Sequence, residues 1–303
     1  MSATVSEATG RTYGVERVCR VFEQPRSTFY FRRDEERTPA SARPARAKRG
    51  PKTPLSDDAL LEAILADLAA SPFQGEGHRK VQARLKVQHG IRVGNKRVLR
   101  LMKENLLLSP HRGRVGHALE HDGKIVTDRP NEMWGTDGAM ILTVDDGRVW
   151  FFGALEHWNA ECVGWHVIKE GTRYEALQPI SMGLKAIFGS LGPDVARGLK
   201  LRMDHGCQYT ADHFLAQIRY WGITPSFSFV EQPQTNGVIE RFNRTLKEQV
   251  IHGRIFKNVA EVRAAVGKFV EIYNQHWRLE KLGYLTPLEA RAARFETTQP
   301  LAA

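Results

Sequence analysis

From Trp134 onward the apolar pattern changes period, and the order of elements that follows limits the folds open to this chain. Met140, Leu142 and Val144 alternate with Ile141 and Thr143, which reads as an apolar strand with both faces partly buried. Asp145-Asp146-Gly147-Arg148 is a hairpin turn of the Asp-Gly type, with Val149 to Leu155 as the return strand and Cys162 to Ile168 as a third. A helix over about 173–188 leads to a fourth strand, Leu199 to Met203, which stops at Asp204-His205-Gly206. Another helix covers about 211–221, then a short strand runs from Thr224 to Phe229. The loop Gln232-Pro233-Gln234-Thr235-Asn236-Gly237 opens a long helix over about 237–251. A last helix near 259–276 carries Val259, Val262, Val266, Phe269, Val270 and Tyr273 at core spacing.

Three antiparallel strands followed by helix–strand–helix–strand–helix is a mixed α/β order. It matches a ribonuclease H-like five-stranded sheet with flanking helices more closely than a doubly wound sheet, and no GxGxxG is present for a dinucleotide. The chain upstream of it is all-α. Ser56 can cap a helix carrying Leu60, Leu61, Ile64, Leu65 and Leu68. A second helix runs from His78 to His89 with Val81, Leu85 and Val87 apolar, and Gly90 stops it. Asn95 can cap a third, with Val98, Leu101 and Met102 as its stripe. Lys96, Arg100 and Lys103 fall on another face of that helix with Arg97 beside them. Helix, Gly-containing turn and basic helix is the order of a helix-turn-helix reader; the plain alternative is a solvated basic face. Further upstream, Val15 to Phe22 and Phe29 to Arg33 read as a smaller helix pair or a hairpin without a fixed fold, with Arg26, Arg32 and Arg33 exposed. Residues 37–54, with four prolines among Ala, Arg and Lys, form a basic linker.

Charge separates these two parts. Residues 1–130 hold 25 Lys and Arg against 15 Asp and Glu, whereas residues 131–303 hold 19 of each. The whole excess of +10 therefore lies in the first part, as expected of a surface that binds a phosphate backbone by releasing counterions. The longest apolar run, Val149-Trp150-Phe151-Phe152, is far short of the ~18 residues of a membrane span. The start lacks the apolar stretch of a signal peptide, and Cys19, Cys162 and Cys207 are odd in number and far apart. The expectation is a cytoplasmic protein without a membrane partner. His111, His117 and His121 cluster, but the paired cysteines of a structural zinc site are missing, so zinc is rejected.

Three acids stand out as a set. Asp137 lies within a strand, where a buried carboxylate needs a partner or a metal; Asp204 lies just past a strand end; Glu240 lies on a helix. Each alone reads equally as an edge or turn acid, and Glu240 as the partner of Arg244 in a helical ion pair. Together, 35 residues separate Asp204 from Glu240, and Lys247 follows the Glu by seven positions.

In Trp134-Gly135-Thr136-Asp137, in Asp204-His205-Gly206, and in the run from Gln234 to Lys247 that carries Glu240, the chain resembles the DDE transposases of bacterial insertion sequences. These enzymes belong to the retroviral-integrase-like superfamily. The resemblance is to the group encoded by the second of two overlapping frames. Tyr273-Asn274 and Leu282-Gly283-Tyr284-Leu285-Thr286-Pro287-Leu288-Glu289 match that group's end signature, and Gly94 to Met102 its helix-turn-helix. It spans about residues 13 to 291. The chain departs from the usual pattern at Arg278-Leu279-Glu280, at Gln74-Gly75-Glu76-Gly77-His78-Arg79 and at His157-Trp158-Asn159-Ala160.

The resemblance implies a metal-dependent polynucleotidyl transferase with Asp137, Asp204 and Glu240 as catalytic ligands of two Mg²⁺ or Mn²⁺ ions. Hard oxygen donors suit those ions, and a pair of them assists both sides of one phosphodiester. Lys96, Arg97, Arg100, Lys103, Arg244 and Lys247 are the expected DNA contacts. The implied partners are the element's terminal inverted repeats and target DNA, further copies of the chain on that DNA, and a protein of the upstream frame; the implied location is at the bacterial nucleoid. The expected layout is a small helical segment and basic linker over 1–55, the helix-turn-helix domain over 56–110, a linker over 111–128, the catalytic domain over 129–292 and a tail over 293–303. Two other readings stand beside it: a catalytically silent DNA-binding regulator of the same fold, and a non-specific ribonuclease H-type nuclease, against which the basic reader and Lys247 argue.

Overall fold

The computed structural model describes residues 2–37, 55–109, 125–228 and 237–296. The basic linker, the His111, His117 and His121 cluster, Phe229, the Gln232 to Asn236 loop and the residues after Glu296 lie outside the described residues. The chain forms two compact units, Met1–Pro54 and Leu55–Ala303. In the first, helices α1 (Gly14–Val21) and α2 (Arg26–Arg37) pack beside a short bridge between Val5 and Thr12.

The second unit begins with three helices, α3 (Asp57–Ala70), α4 (His78–Gln88) and α5 (Asn95–Glu104). Ser56 caps α3 as its position suggests, its Oγ accepting from the Ala59 N–H at 3.1 Å. Asn95 is not the cap of α5: it is the first helical residue, and Gly94 holds the extended cap position with no side-chain bond. Leu60, Ile64, Val81, Leu85, Val98 and Met102 close a small core, while Leu65 and Val87 stand exposed. The buried stripe is thus narrower than the apolar one, because three short helices meet along a single seam.

The rest is one sheet with helices on both faces. Its strands are β1 (Met133–Thr143), β2 (Gly147–Glu156), β3 (Cys162–Ile168), β4 (Lys200–Met203) and β5 (Thr224–Phe227). The order is β3-β2-β1-β4-β5; β1, β2 and β3 pair antiparallel, whereas β4 and β5 join parallel. This is the ribonuclease H-like arrangement expected from the element order. Helices α6 (Arg173–Phe188), α7 (Cys207–Thr210) and α8 (Asp212–Tyr220) follow in the chain. Trp134, Phe152, Leu201, Ile180, Leu184, Phe214 and Ile218 form the core on the α6 and α8 side. Contact there is close enough that a Cβ on Gly164 of β3 would come 1.9 Å from the Pro179 carbonyl oxygen of α6.

On the other face lie α9 (Gly237–Leu246) and α10 (Val259–His276), and α11 (Pro287–Glu296) closes the fold. Ala139, Ile141, Phe151 and Leu155 of the sheet pack there against Ile239, Phe242, Leu246, Val266 and Phe269. The first strand is buried on this face alone near its end: Ile141 is covered, but Met140 and Leu142 are exposed on the other. The expected helix over 237–251 also changes character, since Lys247–Ile251 is a π-helical turn. Helix α11 was not among the expected elements, and it runs past residue 292, where the tail was expected to begin. Among the described residues no helix is long and apolar enough to cross a membrane.

Two buried polar features set stability. Arg84 of α4 is covered by Asp67 and Glu76, donating from Nη2 to Asp67 Oδ2 at 2.7 Å and from Nη1 to Glu76. Burial works against its charge, but the two carboxylates outweigh that and hold its pKa above the ordinary arginine value. Removing the cation leaves two buried acids facing each other. Arg84→Ala is expected to cost about 3–5 kcal/mol in urea unfolding of the full chain. The same truncation at exposed Arg20, paired with Glu16 at 3.5 Å, is expected to cost about 0–1 kcal/mol.

His157 is the second. Its N–H donates to the Met133 carbonyl at 2.9 Å and its own carbonyl accepts from Lys281 Nζ at 2.8 Å, while its ring is buried at 5% exposure. Burial first, then the charges of Lys281 and Arg202, push its pKa down from 6.5 to about 4. The folded state therefore holds fewer protons than the unfolded chain between those values. This contribution is complete above about 6.5 and is lost as pH falls toward 4. Wild type is expected to lose about 2 kcal/mol of unfolding free energy between pH 8 and pH 5 that a His157→Gln variant keeps, as read by urea titration at the two pH values.

Candidate active site

The parallel pairing of β1 with β4 brings the first two acids together. Gly135 faces Arg202 in that ladder, and Asp137 and Asp204 each follow that pair by two residues, Asp204 just past the end of β4. Across β2 the residue opposite Asp137 is Gly153, where a Cβ would come 3.0 Å from the Phe151 ring and would make only an ordinary contact, 3.6 Å, with Ile239 Cδ1 of α9. Helix α9 thus packs over the sheet beside the carboxylate. It buries Ile239, Phe242 and Leu246, as their spacing requires, and leaves Glu240, Arg244 and Lys247 exposed.

Asp137 is half-buried and doubly bonded. Its Oδ1 accepts from the Gly138 N–H at 2.8 Å, and its Oδ2 from Asn243 Nδ2 at 2.8 Å. Burial raises its pKa, the Gly138 and Asn243 hydrogen bonds oppose this, and the negative charges of Asp204 and Glu240 add to it, leaving it at about 6. Asp204 and Glu240 thus both lie near enough for their charge to act on Asp137. The Glu240 carboxyl is also raised by burial and partly relieved by Arg244.

Asp137, Glu240, Asn243, Arg244, Lys247 and His252 line one open cavity of about 500 Å³. Asp204 is not part of its lining: its Oδ1 accepts from the Gly206 N–H at 2.8 Å, which turns the exposed carboxylate onto its own loop. Among the described residues no three Asp, Glu, His or Cys side chains close around a common point as the ligands of one ion. The oxygen donors and their mutual repulsion fit a divalent cation, and Asp204 is the member that would have to turn toward it.

Asn243 and His252 carry no role in the sequence reading. The first had a signal, since it lies three positions after Glu240 and four before Lys247 on one helix. The second had none. In an α-helix, five residues rotate His252 about 140° away from Lys247. The π-helical turn instead puts the His252 N–H on the Lys247 carbonyl at 2.8 Å and returns it to the cavity face.

The basic helix α5 is divided. Lys96 and Lys103 are exposed. Arg97 instead pairs with Asp57 at 2.7 Å and donates to the Leu55 carbonyl, and Arg100 pairs with Asp57 at 2.5 Å and Glu104 at 2.9 Å. The hydrogen bonds from Arg100 and then Arg97 hold the Asp57 carboxyl below its ordinary value.

A family model of an HTH-like domain matches residues 56–115, and one of an integrase core domain matches residues 221–287, the span that holds Glu240 and Lys247. The transposase for insertion sequence element IS629 of Shigella sonnei is 27% identical over 93% of both chains. Transposase InsD for insertion element IS2D of Escherichia coli (strain K12) is 26% identical over 70% of this chain and 72% of that one. Among solved structures, the catalytic core domain of BIV integrase aligns with 56% of this chain and 99% of its own, at 22% identity and a TM-score of 0.40. With matches to an HTH-like domain and then to an integrase core domain, the chain is similar over most of its length to insertion-sequence transposases.

Proposed function

We propose that the chain is a metal-dependent polynucleotidyl transferase that cuts DNA at the ends of a mobile element and joins those ends to target DNA. The observation that carries this reading is the cavity lined by Asp137 of β1 and by Glu240, Arg244 and Lys247 along one helical face, with the negative charge of Asp204, just past the end of β4, acting on Asp137. Asp137, Asp204 and Glu240 would hold Mg²⁺ or Mn²⁺. Such ions, when bound, activate the attacking oxygen and stabilise the leaving one.

The chain's own groups do the rest. Asn243 fixes the direction of the Asp137 carboxylate from α9, so the strand acid and the helix acid keep one relation. Lys247, Arg244 and His252 present donors further along the helical face that carries Glu240, where a backbone phosphate would lie. Lys96 and Lys103 on α5 would bind duplex phosphates, while Arg97 and Arg100 reach DNA only by exchanging Asp57 for phosphate. Water attack on the element end breaks a P–O3′ bond and leaves a 3′-OH and a 5′-phosphate; attack by that hydroxyl on a target phosphodiester forms a new P–O3′ bond and releases the target's own 3′-OH. Joining two ends to one target requires more than one copy of the site on the DNA.

Strand transfer on duplex oligonucleotides from the element ends, with Mg²⁺ and with chelator, tests the reading. Joined product is expected with Mg²⁺ alone, and Asp137→Asn is expected to reduce it by at least about 10³-fold while end binding stays within about threefold. Binding without any joining by wild type would instead favour the silent regulator.

A further inference from the structure

Among the described residues the helical domain and the sheet domain meet at one place, and that place adjoins the cavity. Phe73, from the loop between α3 and α4, leaves its own domain and enters the core of the other. It is 5% exposed and meets Trp277 edge to face with ring centroids 4.7 Å apart. Lys80 of α4 sets its Nζ 2.7 Å from the centroid of the same indole. Arg79 donates to Glu280 at 2.9 and 3.1 Å. Gln249 is bonded on both sides of its amide to the Gln74 backbone, accepting from the N–H at 3.0 Å and donating to the carbonyl at 2.8 Å.

Two features make this more than surface packing. The loop is rigid on the helical side: Ser71 Oγ donates to Glu76 at 2.6 Å, and Glu76 is buried against Arg84. On the other side Gln249 belongs to the π-helical turn that carries Lys247 and Glu248 of the cavity wall. Two of the positions where the sequence departs from the usual pattern, Gln74 to Arg79 and Arg278 to Glu280, therefore meet each other. Domains joined by short contacts ordinarily move against one another; an aromatic anchor with paired amides opposes that.

We propose that Phe73, Gln74 and Lys80 on one side and Trp277, Gln249 and Glu280 on the other form a clamp that holds α5 at a fixed distance from the Asp137–Glu240 cavity. One DNA duplex then engages both, and the sequence bound by α3–α5 determines which phosphodiester enters the cavity. This rests on the nucleotidyl-transfer reading above.

The test uses the full chain, wild type, Phe73→Ala and Gln249→Ala, on element-end duplexes with and without five extra base pairs, about half a helical turn, between the bound sequence and the cleaved bond. Amide exchange of residues 73–80 and 247–251 reports the clamp itself. Wild type is expected to bind and cut the lengthened duplex about a hundredfold less well, because the second contact can no longer form. Both variants should exchange faster in those segments and lose most of that discrimination. Gln249→Ala, which removes no core side chain, carries the result should Phe73→Ala fold poorly. A wild type indifferent to the insertion overturns the clamp, as does a variant with opened segments that still discriminates like wild type. Insertion-sensitive binding without cutting refutes the catalytic reading and keeps the clamp; accurate cutting of both duplexes does the reverse. Absence of both binding and cutting removes both.

Discussion

The placement of α9 on the sheet is the interaction on which the rest of the molecule depends. Phe242 is buried among Phe151, Phe269 and Tyr273, with ring centroids 6.3, 5.7 and 4.9 Å away. Burial of such a side chain contributes about 1.5–3 kcal/mol, and aromatic pairs add about 0.5–1.5 kcal/mol each. With Phe242 locked inward, the phase of the helix leaves Glu240, Arg244 and Lys247 no direction but outward. The hydrogen bond from Asn243 to Asp137 then ties this phase to the strand, so the acids of two elements share one frame.

That frame is electrostatically costly. Asp137 sits half-buried with two carboxylates nearby, and burial first, then those charges, raise its pKa to about 6. Elsewhere the fold treats buried charge with care. Arg84 is met by two acids, and Glu156 is met by N–H donors from Asn131, Trp134 and Trp158. A local conflict that persists amid such consistency marks a site rather than a defect. Arg244, one turn along α9, relieves Glu240, while Asp137 is relieved only in part by the hydrogen bonds of Gly138 and Asn243, which leaves the strand acid as the group with most to gain from a cation.

The basic excess of residues 1–130 does not translate directly into free cations. Arg97 and Arg100 on α5 are engaged by Asp57, and Arg84 is interior. What the helical domain contributes instead is placement: its loop enters the core of the sheet domain at Phe73 and Trp277 and reaches the turn behind Lys247. Charge composition points to a polyanionic partner, and the docking sets the helical part against the turn behind the cavity.

Amino-acid order alone determined the element sequence, since strand and helix periods are local properties of apolar spacing. The three helices, the five strands and the helices α6, α8, α9 and α10 follow from it, as does the outward face of α9. It also marked the three acids, through residue type and spacing. What it left open depends on contacts between distant segments. The parallel β1–β4 register that sets Asp204 beside Asp137, the carboxylate of Asp204 turned to Gly206, and the pairing of Arg97 with Asp57 have no local signal. Likewise the π-helical turn that brings His252 to the cavity, and the seat of Phe73 on Trp277, carry no local signal. Periodicity encodes which side of an element is buried; only the folded chain decides what that side, and the opposite one, will meet.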